Sequence, residues 1–488
     1  MKTEQKKAGW RRLDNTAKIF PVIANENLSN VFRVSVTLKE TVERDLLQQA
    51  LEDILPHIEG FRVKLRRGIF WYYFEENKKV PQVQRESTYP CRYIDPHGNK
   101  KFLFRVTYFE RRINVEVFHA LTDGLGAVNF LKELTFRYLQ LSKGEDGFFR
   151  ESDEKTREQQ EFKVDDSYLE NYRELKHRRY SSQPAYRLTG NYLPIGTGQV
   201  LHGYVSVKEL KAVCRKYDVS ITKYLAASLI WSVWQEYLGG KACAEAIVLN
   251  LPINLRAFFG SDTMANFFAV TSIGYLFKDP DMDFGTLLKK ISRQMDKKID
   301  KDRLEESISY NVSNEKKWYL RITPLVFKWM GLNLVFRLKD RAHTMTLSNV
   351  GPIRVEPEYQ EDIERFHLMI GVSRRQPLKC TACAYGDEIV ITFTSVFADS
   401  RLQRYFFKKL KADGIQVRLE GNELSAARKR DMYPRVRRVL ILQKGGEAKA
   451  SRMVKSVGHS GGHAMKNVRD YLTGTRDLKE ELNRRFHV

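Results

Sequence analysis

The stretch Phe118-His119-Ala120-Leu121-Thr122-Asp123-Gly124 joins two segments of opposite periodicity. Upstream, residues 102–109 and 113–118 carry strand signals. Downstream, residues 124–141 set Leu125, Val128, Leu131, Thr135 and Tyr138 on one helical face. A turn from strand to helix exposes side chains at a sheet edge. A histidine there, with an unperturbed pKa of about 6.5, can take and return a proton near neutral pH. Asp123 at the helix entry suits a cap or an arginine partner, and Gly124 permits a tight backbone. A capped helix with a bystander histidine would give the same string, so its rarity matters. Among ten histidines only His119 has Asp at the fourth and Gly at the fifth following position. Chance predicts about 0.03–0.04 such matches in a chain of this composition.

Outward from this turn the chain reads as alternating strands and helices. Phe32, Val34, Val36 and Leu38 recur every second residue, then Leu46, Leu47, Ala50, Leu51, Ile54 and Leu55 recur at helical spacing. Residues 62–74 return to strand chemistry after the first helix. From 144 to 167 the chain is mostly charged residues and glutamine, the composition of a linker. Beyond it come an apolar helix at 222–238, a buried strand at 246–251 and an amphipathic helix at 284–299. Strand signals at 366–372, 378–385 and 389–396 precede a helix at 400–411. The expected organisation is therefore two α/β halves, 1–145 and 195–424, joined by a charged crossover at 146–194 and followed by a basic tail at 425–488. No repeat with a period of 20–50 residues is present.

Composition narrows the class. Of 488 residues 42% are hydrophobic and 12% aromatic, which excludes wholesale disorder. The most apolar stretch, 324–336, is shorter than the ~18–20 residues of a membrane span, and Lys328 interrupts it. A core helix is the favoured account of that stretch, so membrane contact is expected to be at most peripheral. No apolar segment follows the N-terminal lysines, and five cysteines do not make a disulfide framework, so a cytoplasmic location with reduced thiols is expected. The net charge of +23 favours polyanionic partners. It is uneven, because residues 425–488 hold 16 basic and 6 acidic side chains. Without an RNA-binding aromatic signature or zinc-finger spacing, no nucleic-acid partner is expected. Cys380 and Cys383 lack a second Cys-x-x-Cys, and His459 and His463 lack acidic or thiol company, so no metal is expected either.

His-x-x-x-Asp-Gly at a strand end resembles the signature of the chloramphenicol-acetyltransferase-like superfamily, which includes alcohol acetyltransferases, wax-ester synthases, plant acyl-CoA-dependent acyltransferases and nonribosomal peptide condensation domains. Three further segments follow suit in order. Leu13-Asp14-Asn15-Thr16-Ala17-Lys18-Ile19-Phe20-Pro21 looks like the opening of bacterial alcohol acetyltransferase-like proteins. Pro252-Ile253-Asn254-Leu255-Arg256 with Asn266-Phe267 resembles the Pro-Val-Asn-Leu-Arg and Gly-Asn-Phe block. Ser348-Asn349-Val350-Gly351-Pro352 is similar to the Ser-Asn-Val-Pro-Gly-Pro turn of the wax-ester branch, without its first proline. The likeness spans about residues 10–420 of the sequence.

The resemblance implies an α/β pseudo-dimer of two similar lobes, mixed sheets with flanking helices, and an active-site tunnel between them. His119 would deprotonate an acceptor hydroxyl or amine that attacks a thioester carbonyl. Asp123 would be structural, with Arg256 as its partner, and Ser348 and Asn349 would lie near the tunnel as oxyanion donors. The implied function is transfer of an acyl group, acetyl foremost, from acyl-CoA to an alcohol. The alternatives are a free-standing condensation enzyme that uses an acyl carrier protein thioester to form an ester or amide, and a non-catalytic binding module of the same fold. One chain would supply a complete site, so a monomer is compatible with it. The identity of the acceptor is not written in these motifs.

Overall fold

The computed structural model describes residues 9–58, 60–145, 164–175, 183–194 and 196–422. The contacts divide the chain after Asn422, so the basic tail, with His459 and His463, lies outside the described residues. In chain order the described strands are β1 (Trp10–Arg12), β2 (Val31–Leu38), β3 (Val63–Arg67), β4 (Tyr72–Glu76), β5 (Gln84–Arg85), β6 (Phe104–Phe109) and β7 (Arg112–Phe118). Then follow β8 (Gln199–Ser206), β9 (Ile247–Asn254), β10 (Phe268–Tyr275), β11 (Met345–Pro352), β12 (Ile363–Ile370), β13 (Leu378–Tyr385), β14 (Glu388–Ser395) and β15 (Val417–Gly421). The longer helices are α1 (Arg44–Ile54), α2 (Gly124–Ser142), α3 (Val207–Lys216), α4 (Ile221–Leu238), α5 (Phe284–Lys298), α6 (Lys301–Lys316), α7 (Leu325–Asp340) and α8 (Arg401–Ala412).

Among the described residues the strands form a five-stranded sheet ordered β12-β2-β7-β6-β5, a seven-stranded sheet ordered β10-β9-β11-β13-β14-β8-β15, and a small β1-β4-β3 sheet. Both faces of β7 are buried, although its residues alternate, with Ile113, Val115 and Val117 on one face and Asn114 and Glu116 on the other. Ile113, Val115 and Val117 join Phe130, Leu131 and Leu134 of α2 in one core. The opposite face carries a buried polar network instead. Arg33 and Arg105 both bond the Glu116 carboxylate, and Ser35 donates to Asn114 at 2.8 Å. A charge this deep is tolerable only when paired.

The second core lies between the seven-stranded sheet and α4, α5 and α8, where Trp234 stacks on Phe277 with centroids 4.3 Å apart. Ser220 caps α4 by accepting from the Lys223 amide, and Gly239 ends it in the left-handed region (φ 58°). The other face of that sheet turns Tyr204, Cys383 and Val390 toward the five-stranded sheet. Alternation along β13 thus sends Cys380 and Cys383 into different cores, and burial pushes both thiols up.

Three expectations change. The strand expected at 366–372 in the C-terminal half runs Ile363–Ile370 and joins the N-terminal half's sheet, pairing Phe366 with Val36 and Leu368 with Val34. Strand chemistry does not specify which edge a strand completes. In the charged crossover, Tyr168 is fully buried in a short helical turn, Ser167–Glu170, capped by Asp166. Finally, the stretch at 324–336 is helical but not core. Leu325 and Lys328 are buried, whereas Phe327, Met330 and Leu334 are exposed. Among the described residues, no helix is long and apolar enough to cross a membrane.

Candidate active site

The end of β7 sets the position of His119. Val31 pairs with Phe118, and the His119 amide then donates to the Asn30 carbonyl at 2.9 Å. Three aromatic rings enclose the imidazole. Phe20 stacks on it at 4.5 Å, and Phe32 and Phe268 approach at 5.0 and 5.4 Å. Burial therefore lowers its pKa below 6.5, with Lys379 adding repulsion and Asp123 opposing the shift.

Nδ1 of His119 lies 3.1 Å from Oδ1 of Asn266. The amide is oriented from behind, because Nδ2 of Asn266 donates to Asp14 Oδ2 at 3.0 Å and its backbone amide donates to the same oxygen at 3.3 Å. A carbonyl oxygen can only accept, so Nδ1 carries the proton of the neutral ring and Nε2 keeps its lone pair. Asp14 also accepts from the Ala17 amide at 2.7 Å, and burial pushes its carboxyl up to about 6. The Tyr168 hydroxyl closes the surroundings. It accepts from Thr16 and donates to the Phe268 carbonyl, tying together the two segments that contribute Phe20 and Phe268.

Asp123 caps α2 by accepting from the Gly126 amide. Arg256 grips both carboxylate oxygens, at 2.8 and 3.1 Å, and the Phe267 amide adds a bond of 3.0 Å. The remaining guanidinium hydrogens reach the carbonyls of Thr263 and Ala265 and Oδ1 of Asn254. A bidentate pair this well satisfied is rigid, and here it fixes the loop that delivers Asn266 to His119. The steric demand placed on Gly124 falls two residues later. A Cβ at Gly124 would meet Val350 at 3.4 Å, an ordinary contact, whereas one at Gly126 would lie 2.0 Å from the Thr122 hydroxyl.

The same Gly124 contact places β11 against the start of α2. Ser348 and Val350 share a strand face, and among the described residues the Ser348 hydroxyl has no partner. Asn349 is committed to its turn, where Oδ1 accepts from the Gly351 amide and Nδ2 donates to Thr222. Gly351 in the left-handed region (φ 76°) makes the bend without the proline. The structure thus gathers His119, Asp123, Gly124 and Arg256, with β11 alongside. Sequence reasoning did not assign Asp14, Asn266 or Phe20 to the site. All three lie in the segments that carry the family likeness, and that was the available signal. No group of three or more metal-ligating side chains occurs among the described residues.

No protein-family model matches the chain, and no curated protein sequence matches it. Solved structures do. The structure of F. graminearum TRI101 complexed with coenzyme A and deoxynivalenol aligns with a TM-score of 0.57 at 12% identity, covering 84% of this chain and 100% of that one. TRI3 trichothecene 15-O-acetyltransferase from Fusarium sporotrichioides aligns at 0.53 and 11%, covering 83% and 94%. Polyketide synthase associated protein 5 from Mycobacterium tuberculosis aligns at 0.51 and 14%, covering 82% and 96%. The chain has the chloramphenicol-acetyltransferase-like fold that these proteins share.

Proposed function

We propose that the protein is an acyltransferase that moves an acyl group, acetyl foremost, from coenzyme A to an alcohol, with His119 as general base. The observation that carries this is the ring orientation: Asn266, itself held by Asp14, occupies Nδ1 and leaves Nε2 to receive a proton. The acceptor hydroxyl gives its proton to Nε2 as its oxygen bonds to the thioester carbonyl carbon. The carbonyl electrons move onto oxygen. When the tetrahedral species collapses, the C–S bond breaks and the imidazolium returns the proton to the thiolate, leaving an ester and a free thiol. General-base assistance of this kind contributes ~10²–10⁴ in rate.

Ser348, with its hydroxyl unengaged, is the donor we assign to the oxyanion, a role worth ~10²–10³ in turnover. Asp123 and Arg256 are positioning residues. Donor and acceptor would enter along the seam between residues 1–145 and 195–424, because the His119–Asn266 and Asp123–Arg256 contacts both cross it. The likeness to a protein solved with coenzyme A and deoxynivalenol supports this donor and a small-molecule acceptor. The free, largely buried cysteines suit a cytoplasmic setting.

The test is mass spectrometry of acyl products after incubating the protein with acetyl-, octanoyl- or palmitoyl-CoA and a panel of alcohols and amines. Ester formation with equal release of free thiol is expected. Acyl products formed only from carrier-protein thioesters would overturn the donor, and the likeness to a polyketide synthase associated protein makes that the second arm to run. No product from either donor would overturn the enzyme itself.

A further inference from the structure

The short helix Trp318–Ile322 and α7 leave an apolar face in solvent. Trp318 is 71% exposed, Phe327 65% and Met330 62%. Phe327, Met330, Leu334 and Leu338 recur every three or four residues, so they form one outward stripe. The tip of the β3–β4 hairpin extends it with Ile69, which is 74% exposed. Helix and tip are locked together. The Leu325 amide donates to the Ile69 carbonyl at 2.8 Å, and the Lys328 ammonium donates to the Phe70 carbonyl at 2.9 Å while lying 3.5 Å from the Trp71 ring centroid. Contiguous exposed apolar surface of this kind marks a place where something binds.

Charge identifies the occupant. Residues 316–341 contain seven lysines and arginines, of which Lys328 is buried, and a single acid, Asp340. That acid is buried and accepts from Gln376, so it does not face outward. Lys316, Lys317 and Arg321 are exposed beside Trp318 and Ile322. A second copy of the chain would bring this cationic rim against itself, and the strongly basic residues 425–488 would meet like charge. An anionic surface meets the opposite sign. Aromatic rings at the border of an apolar stripe, with basic residues around it, are the pattern of an element lying in a bilayer interface.

We infer that the face formed by Trp318–Ile322, α7 and the Ile69 hairpin tip docks the protein on an anionic phospholipid surface. Docking is independent of the chemistry at His119 but close to it. Nδ2 of Asn333 donates to the Val22 carbonyl at 3.3 Å, and α7 packs on the turn Phe20–Ile23, whose Phe20 stacks on His119. A docked molecule therefore presents that side of the site to the bilayer, the side from which an apolar acceptor would arrive.

Vesicle flotation of the full chain tests the inference. Two vesicle types are compared, phosphatidylcholine alone and phosphatidylcholine with about a third phosphatidylglycerol. The wild type should float with the anionic vesicles. The triple variant Phe327→Ser, Met330→Ser, Leu334→Ser leaves the charge unchanged and touches exposed side chains, so its melting temperature should hold. Its partitioning should fall by at least about tenfold. The triple variant Lys316→Ser, Lys317→Ser, Arg321→Ser should weaken binding and reduce its salt dependence. Wild-type protein that stays unbound would overturn the inference. So would an apolar variant that floats like the wild type, which would assign binding to charge elsewhere in the chain. Concentration-dependent dimers abolished by the apolar substitutions would assign the face to a second copy instead.

Discussion

His202 on β8 and His367 on β12 meet between the two large sheets with ring centroids 4.6 Å apart, while His119 sits where β7 gives way to α2. Burial depresses all three, taking His202 to about 3 and His367 well below its ordinary value. A lowered pKa therefore does not identify a base. The bonding of the ring nitrogens does. Nδ1 of His202 is spent on the Thr392 hydroxyl. The Tyr204 hydroxyl donates to Glu420 and so must accept from Nε2 of His367, which leaves a buried, unprotonated Nδ1 with no partner among the described residues. His202 and His367 are 6% and 2% exposed, whereas His119 stays partly open to solvent. His119 combines an oriented ring, a spare nitrogen and access.

The comparison can be broken in several ways. The largest effect on stability belongs to the charged clamp beside His119. Arg256→Met strands the buried Asp123 carboxylate and should lower unfolding stability by about 3–5 kcal/mol, with partial recovery on adding Asp123→Asn, as read from urea midpoints. An unchanged midpoint would mean that the clamp is not what holds the Asn266 loop.

Next comes orientation. Asn266→Leu keeps the ring enclosed but removes its acceptor, and turnover should fall ~10–100-fold with KM little changed. Its pH profile should differ from that of the wild type, which a purely structural role would not produce. At the neutral pair, His367→Phe should shift stability by about 1–3 kcal/mol and leave activity per folded molecule intact. A loss of turnover there would erase the contrast.

Two pH effects are smaller and have worked signs. His202 refuses a proton that the unfolded chain accepts below 6.5, so stability should decline as pH falls from about 6.5 toward about 3, less steeply in His202→Gln. The acid limb of kcat/KM should have its midpoint below 6.5, because burial disfavours protonated His119.

The turn that carries His119 was legible because periodicity changes from two to 3.6 across it and because the His-x-x-x-Asp-Gly string occurs once among ten histidines. Arg256 could be matched to Asp123 because a buried carboxylate requires a cation. Asn266 was harder. An uncharged amide announces no chemistry, and its orienting partner Asp14 lies 252 residues away, so only folding unites them. The destination of β12 was likewise invisible, since apolar alternation serves any sheet edge. The clearest failure of hydropathy is α7. It resembles α4 in composition, yet α4 is packed between sheet and helices while α7 has one buried side. Apolar content reports a need for cover and not what supplies it.

Thiol release from acetyl-CoA in the presence of an alcohol acceptor, measured side by side for the wild type, His119→Ala and His202→Gln, tests the central claim most directly. Thiol release should fall by ~10²–10⁴ for His119→Ala at an unchanged melting temperature, and His202→Gln should keep near wild-type turnover. A His119→Ala protein that stays folded and keeps most of its thiol release would contradict that claim.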